Sequence, residues 1–291
     1  MMKGIVLAGG NGTRLFPLTS VTSKQLLAVY NKPMAYYPLS VLMLAGVRDI
    51  LIISTPSTVP VMRNLLGDGS QLGLNLSYAV QQEPRGIAEA FLIGADHIGD
   101  DSSALILGDN VFHGPGFAEL LREARESLDG CTLFGYPVPD PDRYGIGEVD
   151  RAGRLVSIEE KPPRPRSNTA ITGLYLYDNE VVEIARGLAP SPRGELEITD
   201  VNLEYLRRGR AKLIGLSRGH TWFDCGTHDS LLAAGQYVRF VEKYRGERVA
   251  CLEEIALRMG FIDAEACYRL GAGMRHSTYG RHLTEIAYAL D

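Results

Sequence analysis

Three glycines and an arginine follow the first apolar run of this sequence, in the segment Leu7-Ala8-Gly9-Gly10-Asn11-Gly12-Thr13-Arg14-Leu15. Glycine lets backbone N–H groups approach a ligand closely and adopts positive φ at low cost, while Arg14 supplies a positive charge. Lys24 adds a second cation ten residues later. These residue types suit a loop that binds a polyphosphate. The alternative interpretation is a tight surface turn with solvated charges.

Two familiar phosphate-binding motifs do not fit this loop. A P-loop requires Lys-Ser or Lys-Thr directly after its last glycine, whereas Thr13-Arg14 follows here. A dinucleotide-binding turn opens a helix, and Pro17 prevents a helix from starting directly after the loop. The sequence therefore predicts a phosphate site of another kind.

Composition limits the class of protein. The 291 residues are 45% hydrophobic and 22% charged, which is enough apolar material for a substantial globular core. A net charge of −5 argues against a nucleic-acid surface. The start resembles no signal peptide, and no run of 18 apolar residues indicates a membrane partner. The four cysteines lack paired or zinc-type spacing, so we expect free thiols in a cytoplasmic protein.

Short apolar runs alternate with helical patterns in the first half of the chain. The predicted strands are Gly4–Leu7, Ile50–Ser54, Leu76–Val80, Ala104–Leu107 and Thr132–Gly135. The predicted helices are Tyr37–Ala45, Val59–Leu66, Ile87–His97 and Phe117–Leu128. This alternation predicts an α/β fold, with a mostly parallel Rossmann-like sheet flanked by helices. Ligands of such sheets bind at the carboxyl ends of the strands, where the glycine loop is expected to lie.

The pattern changes after Tyr136. The residues that follow predict a small β-rich elaboration of the same domain. They comprise repeated prolines, a hairpin formed by 148–150 and 155–158, and strands 170–177 and 212–216 around a helix at 198–207. The last sixty residues favour helices, at 230–244, 252–259, 264–270 and 281–290. Their apolar spacing suits packing against the core or another subunit.

Two aspartates are candidate metal ligands. Asp109 directly follows a predicted buried strand, and Gly108 before it allows a ligand to approach. A hard cation that accompanies phosphates takes one or two carboxylates, although an aspartate in this position is also typical of a turn or a helix cap. Asp224 follows an aromatic pair and precedes a cysteine and Gly226. Alone it suits a structural role, and together with Asp109 it would complete a metal site.

Taken in order along the whole chain, these motifs resemble those of the sugar-phosphate nucleotidylyltransferases. The segments that carry the resemblance are Leu7–Leu15, Ser23–Leu27, Lys32-Pro33, Gly108-Asp109-Asn110, Arg143-Tyr144-Gly145, Glu159–Pro162, Thr172–Tyr175, Ser191–Asp200 and Trp222–Leu232. Within that family, three segments are similar to those of the glucose-1-phosphate thymidylyltransferases: Lys24-Gln25-Leu26-Leu27, Tyr36–Leu39 and Gly67-Asp68-Gly69.

The resemblance implies a reaction and an assembly. An oxygen of glucose 1-phosphate would attack the α-phosphorus of dTTP, pyrophosphate would leave, and dTDP-glucose would form without a covalent enzyme intermediate. Such transfer depends mainly on in-line positioning and charge neutralisation, with Mg²⁺ as the implied cofactor. The resemblance further implies a homotetramer and the first step of dTDP-deoxysugar biosynthesis, for example of rhamnose.

The resemblance also assigns residues. The implied catalytic residues are Arg14, Lys24, Asp109, Lys161 and Asp224, of which Asp109 and Asp224 would bind the metal. The nucleotide would contact Leu7, Gly9, Gly10, Gly12, Thr13, Arg14, Lys24, Gln25, Gln81, Gly86 and Asp109. The sugar phosphate would contact Asn110, Tyr144, Gly145, Glu160, Lys161, Ile171, Tyr175 and Arg193. Residues 1–229 would form the catalytic domain, in which 1–136 would mainly bind the nucleotide and 137–229 mainly the sugar phosphate. Residues 230–291 would form a helical region for oligomerisation or regulation.

Alternatives remain within and outside this class. A uridylyltransferase or an enzyme of relaxed specificity would use UTP, and a non-catalytic nucleotide-sugar sensor would lack one of the cations or metal ligands. The chain departs from the usual family pattern at Arg85, Glu89 and Gly147. Arg85 would add a cation near the nucleoside and Gly147 would enlarge the space near the sugar. We therefore hypothesise an altered tolerance for base or sugar.

Overall fold

The computed structural model describes residues 1–10 and 12–289. Within them the strands are β1 (Met2–Ala8), β2 (Ala28–Val29), β3 (Lys32–Pro33), β4 (Asp49–Ser54), β5 (Asn75–Val80), β6 (Ser102–Leu107), β7 (Asn110–His113), β8 (Cys131–Pro137), β9 (Gly145–Val149), β10 (Leu155–Glu160), β11 (Thr169–Tyr177), β12 (Ala211–Gly215) and β13 (Thr221–Asp224). The α-helices are α1 (Tyr36–Leu44), α2 (Val59–Leu66), α3 (Glu89–Ile93), α4 (Ala95–Ile98), α5 (Phe117–Glu126), α6 (Val181–Arg186), α7 (Ile198–Arg207), α8 (His228–Phe240), α9 (Leu252–Arg258), α10 (Ala264–Gly273) and α11 (Thr278–Ala289).

Nine of the described strands form one large central sheet in the order β10-β9-β11-β6-β1-β4-β5, which β8 and β12 extend beside β11. Strands β7 and β13 pair in a separate two-stranded sheet, and so do β2 and β3. Strands β6, β1, β4 and β5 are parallel to one another. Strand β11 joins this parallel part antiparallel to β6. The α/β fold predicted from the alternating pattern is confirmed, and the β-rich second half adds its strands mainly through antiparallel pairs.

The parallel strands read as continuous apolar runs because helices cover both of their faces. Successive residues of β1 show this directly, since Ile5 packs into one apolar cluster and Val6 into the cluster on the opposite face. Leu51 and Ile52 of β4 divide in the same way. This double burial holds the parallel strands in the middle layer of the fold, with their loops at the edges of the sheet.

The C-terminal helices are fastened to the start of the chain by a buried ion pair. Lys32 Nζ lies 2.7 Å from Glu242 Oε1, and both side chains are only 2% exposed. Asn31 and Arg248 donate further hydrogen bonds to Glu242 at 2.8 and 2.9 Å. A buried carboxylate with this many donors is well satisfied, so it holds α8 and the turn after it in a defined position.

Most predicted elements are present with shifted ends, and two features differ. The predicted helix Ile87–His97 is divided at Gly94 into α3 and α4. Helix α6 and the short strands β2, β3, β7 and β13 carry too few residues for a periodic signal and were not predicted. The last predicted helix is present as α11, and Leu290 lies outside the described residues. In the described part of the chain, no helix has the length and apolar character needed to cross a membrane.

Candidate active site

The glycine loop begins where β1 ends. Gly10 has φ +90° and Gly12 has φ +57°, values that favour glycine. Gln25 is buried and its Nε2 donates a hydrogen bond of 3.1 Å to the carbonyl oxygen of Gly9. The Gln25 amide thus supports the loop from the core side, and among the described residues the N–H groups of Gly9 and Gly10 have no backbone partner. Asn11 of this loop lies outside the described residues.

The two candidate metal ligands come together through strand pairing. Asp109 follows β6, and the next residue begins β7, which pairs antiparallel with β13. Asp224 therefore lies opposite Asn110, and the N–H of Cys225 donates 2.9 Å to the carbonyl oxygen of Asp109. Both carboxylates line the same cavity. The arrangement places two oxygen donors at one point of the sheet edge.

Asp109 is oriented by its neighbours. Its Oδ2 accepts a hydrogen bond from the Lys24 ammonium in an ion pair, and its Oδ1 accepts 3.0 Å from Asn110 Nδ2. Asn110 is itself fixed, because its Oδ1 accepts 2.6 Å from Trp222 Nε1 and 3.0 Å from the N–H of Gly173. The Asn110 side chain thus positions Asp109 as well as lining the cavity, whereas the resemblance assigned it to the sugar.

The two carboxyl groups have opposite protonation behaviour. Burial would raise the pKa of Asp109, but the Lys24 charge and the Lys24 and Asn110 hydrogen bonds outweigh burial and lower it. Burial and the neighbouring Asp109 raise the pKa of Asp224 to about 6, against the partial effect of Lys24 and Arg14. The pair therefore concentrates unfavourable negative charge that a cation would relieve.

The second set of cations lies across the cavity. Lys161 is in the left-handed region at φ +42°, and its Nζ lies 3.1 Å from Glu160 Oε1. Arg193 Nη2 lies 2.9 Å from Glu197 Oε1 and 3.7 Å from Glu160 Oε1. Thr199 donates 2.6 Å to the other oxygen of Glu160. Both cations are exposed, and both lie within 4 Å of the same oxygen of Glu160.

Two cavities share this region. One of about 330 Å³ is lined by Asn110, Tyr144, Gly145, Ile171, Tyr175 and Asp224, and the other, of about 360 Å³, by Leu7, Gly9, Gly10, Lys24, Gln81, Gly86 and Arg193. Arg14, Asp109, Glu160 and Lys161 line both cavities. The cations and Asp109 therefore stand at a junction between two spaces that are each large enough for a small ligand.

A family model described as nucleotidyl transferase matches residues 3–239. The chain belongs to the nucleotidyl transferase family. A glucose-1-phosphate thymidylyltransferase of Xanthomonas campestris pv. campestris (strain B100) is 54% identical over 98% of this chain and 97% of its own length. The protein of that name from Mycobacterium tuberculosis (strain ATCC 25618 / H37Rv) is 53% identical over 98% and 99%.

Solved structures agree with the family. A Bacillus anthracis protein assigned as a glucose-1-phosphate thymidylyltransferase and crystallised with sucrose superposes with a TM-score of 0.77 at 40% identity, covering 82% of this chain and 96% of its own. A UDP-glucose pyrophosphorylase complexed with UDP-glucose has a TM-score of 0.72 at 22% identity, covering 85% and 100%, and supports the fold alone.

Three of the residues predicted for this nucleotidyl transferase line neither cavity: Gly12, Thr13 and Gln25. Thr13 begins the 3₁₀ turn that carries Arg14, and Gly12 caps that turn. Gln25 is only 1% exposed and supports the loop from the core side. Their roles in binding remain predictions, and their observed contacts support the loop and the turn after it.

Two of the departures from the family pattern, Arg85 and Gly147, line neither cavity. Arg85 is 64% exposed and pairs with Glu83 at 3.2 Å, and it lines neither cavity. A Cβ added to Gly147 would meet Leu213 at 2.9 Å and Leu155 at 3.4 Å, so Gly147 makes room for apolar packing of the sheet. The expectation that these residues add a cation to the nucleoside site and space to the sugar site is not supported by the geometry.

Several cavity residues were not assigned from the sequence: Arg143, Ile198, Thr199, Asn202 and Trp222. Thr199 and Asn202 lie one turn apart on α7, a spacing that places them on one face of a helix. The sequence therefore shows that the two side chains share a face of α7, but it does not show that this face lines the cavity. Arg143 and Trp222 stood within the matched motifs without a role.

Adding a methyl group at Gly173 is expected to change the orientation of the Asp109 carboxylate indirectly, through Asn110. A Cβ there would lie 2.6 Å from Asn110 Oδ1, so the amide must shift and its hydrogen bonds weaken. We expect Gly173→Ala to lower the free energy of unfolding by about 2 kcal/mol and kcat by about tenfold, measured by urea denaturation and steady-state kinetics. Gly215→Ala is the control, since no atom lies within 4 Å of its added Cβ. Equal behaviour of the two variants would contradict this assignment.

Asp224 is expected to limit the stability of the protein without divalent cations. The pKa of Asp224 is raised to about 6 in the folded protein, so the folded state keeps a proton at pH values where the unfolded state has released it. The resulting contribution to the free energy of unfolding is therefore present at low pH and is lost as the pH rises through 6. Asp224→Asn mimics the protonated form and should raise the free energy of unfolding at pH 7.5 by about 2 kcal/mol. The gain should vanish near pH 4 in urea titrations with EDTA. A gain of the same size at both pH values would disprove the charge explanation.

Proposed function

We propose that this protein transfers a thymidylyl group from dTTP to glucose 1-phosphate, giving dTDP-glucose and pyrophosphate. The observation that carries the proposal is the junction of the two cavities, where Arg14, Asp109 and Lys161 line both spaces. A two-substrate transfer needs such a junction, because the attacking oxygen and the α-phosphorus must meet in line. The names of the relatives that match nearly the whole chain point to these substrates.

The residues divide between the two substrates. The glycine loop with Gly9 and Gly10 would bind the triphosphate through backbone N–H groups. Lys161 and Arg193 would hold the phosphate of the sugar 1-phosphate so that its oxygen faces the α-phosphorus, and Arg14 and Lys24 would stabilise charge on that phosphorus and on the departing pyrophosphate. The new P–O bond forms as the bond to pyrophosphate breaks, and no enzyme nucleophile is required.

The carboxylate pair fits a divalent cation, which we propose to be Mg²⁺. Asp109 and Asp224 provide hard oxygen donors. Burial and the neighbouring Asp109 raise the pKa of Asp224, and a cation between the two carboxylates would relieve that charge. Lys24 already neutralises part of this charge. When bound, Mg²⁺ would offset phosphate charge and help the leaving group depart. The residues of this chain supply the ligands and their orientation through Asn110.

The proposal is tested by pyrophosphate release over a grid of substrates. Purified protein is mixed with dTTP or UTP and with glucose 1-phosphate or galactose 1-phosphate, with and without Mg²⁺. We expect the dTTP and glucose 1-phosphate pair with Mg²⁺ to give the highest kcat/KM. Preference for UTP would replace the nucleotide assignment, and no release with any pair would refute the enzymatic function.

We further propose that the protein is a homotetramer assembled through its C-terminal helical region. Leu232 and Phe240 of α8 and Tyr244 after it are 61%, 50% and 63% exposed, and together they offer apolar surface for a partner copy. Light scattering coupled to size-exclusion chromatography gives the mass directly. A mass equal to one 31.8 kDa chain at micromolar concentration would rule the assembly out.

A further inference from the structure

The side-chain amide of Gln81 is held by acceptors on one side. Its Nε2 donates 2.8 Å to Glu89 Oε2 and 3.3 Å to the carbonyl oxygen of Gly86. A primary amide has two N–H bonds, and both are directed at these acceptors. Turning the amide over would bring its oxygen against a carboxylate and a carbonyl, which is repulsive. The carboxylate of Glu89 therefore decides which end of the amide faces the cavity.

The free end is the carbonyl oxygen. An added Cβ on Gly9 would lie 2.6 Å from Gln81 Oε1, so this oxygen lies directly beside the glycine loop. Gln81, Gly9 and Gly86 all line the cavity of about 360 Å³, whereas Glu89 does not. Among the described residues, none donates a hydrogen bond to Oε1. The oxygen is thus available to a ligand as an acceptor.

Glu89 is placed rigidly enough to have this effect. It begins α3, whose next two residues, Ala90 and Phe91, are fully buried. The N–H of Ala88 donates 3.1 Å to the carbonyl oxygen of Leu196, which anchors the segment before the helix. Glu89 itself is half-buried, and among the described residues its recorded hydrogen-bond partner is Gln81. Its carboxylate is therefore dedicated to the amide.

We propose that Glu89 is a positioning residue that makes Gln81 an acceptor and so selects bases with a ring N–H, the imide edge of thymine or uracil, over cytosine. The inference rests on the proposed function and extends it to base selection. Cytosine carries an unprotonated ring nitrogen at the position of the imide N–H, so two acceptors would face each other and a buried polar group would go unpaired. Thymine and uracil share the imide edge, so Glu89 does not distinguish dTTP from UTP.

The test is Glu89→Gln, which keeps the size of the side chain and removes its charge. A glutamine offers both a donor and an acceptor, so the Gln81 amide becomes free to turn and present its NH₂ to the base. We expect kcat/KM for dTTP to fall about tenfold, mainly through KM, and the preference for dTTP over dCTP to fall by at least about tenfold. kcat with dTTP should change little, because the phosphates bind at the loop and not at Glu89.

Glu83→Gln is the matched control, since Glu83 lies on the same loop, is 68% exposed and pairs with Arg85. Glu83→Gln should leave kcat/KM for dTTP and the preference for dTTP over dCTP unchanged. Glu89→Ala, with unfolding free energies measured for every variant, guards against a fold defect and should move the dTTP-to-dCTP ratio in the same direction. An unchanged ratio in folded, active Glu89→Gln and Glu89→Ala overturns the inference. Wild type that releases no pyrophosphate with dTTP or UTP instead overturns the proposed function.

Discussion

Replacing Asp109 by asparagine is expected to lower kcat by about 10³-fold, the largest effect we foresee at this site. The change removes one of two carboxylates at the junction of the cavities and leaves the Lys24 ammonium without its ion-pair partner. Steady-state pyrophosphate release at saturating dTTP and glucose 1-phosphate measures the loss. Because asparagine keeps the shape of the side chain, the fold should survive.

Asp100→Asn provides the matched control for that experiment. Asp100 is an exposed aspartate in the turn after α4 and lies outside both cavities. It should retain wild-type kcat. The free energy of unfolding, measured in urea, shows whether Asp109→Asn remains folded. A folded Asp109→Asn enzyme with kcat within about tenfold of wild type would remove Asp109 from the metal site.

Replacing Lys161 by alanine is expected to lower kcat/KM for glucose 1-phosphate by about 100-fold. A charge-assisted hydrogen bond to phosphate is lost, and the neighbouring Glu160 carboxylate is left to repel the anion. Most of the loss should be in KM for the sugar phosphate, with KM for dTTP within about threefold of wild type. Kinetics with each substrate varied at saturation of the other separate the two effects.

Stability should change little in Lys161→Ala, because the side chain is 45% exposed and alanine inherits the same positive φ. Lys212→Ala, at an exposed lysine of β12 outside both cavities, is the control. An increase in KM for dTTP as large as that for glucose 1-phosphate would move Lys161 to the nucleotide side of the junction. That outcome is informative because Lys161 lines both cavities.

The sequence by itself determined the parts of the site that depend on local chain geometry. Glycines after an apolar strand predict a close-approach loop, and Asp109 after a second such strand predicts a carboxylate at the same sheet edge. Continuous apolar runs predicted the covered parallel strands, because burial on both faces leaves this pattern in each strand separately. These inferences need only neighbours along the chain, and the structure places Gly9 and Asp109 as they require.

The tertiary structure decided the contacts between residues far apart in sequence. Strand β13 pairs with β7, which brings Asp224 beside Asp109, and Trp222 then holds Asn110 across 112 positions of chain. The direction in which a side chain points was also open, as the outward turn of Arg85 shows. Glu89 has its effect through the orientation of one amide. Such pairings depend on long-range packing and on the competition among acceptors for one donor, and a linear pattern of residue types records neither.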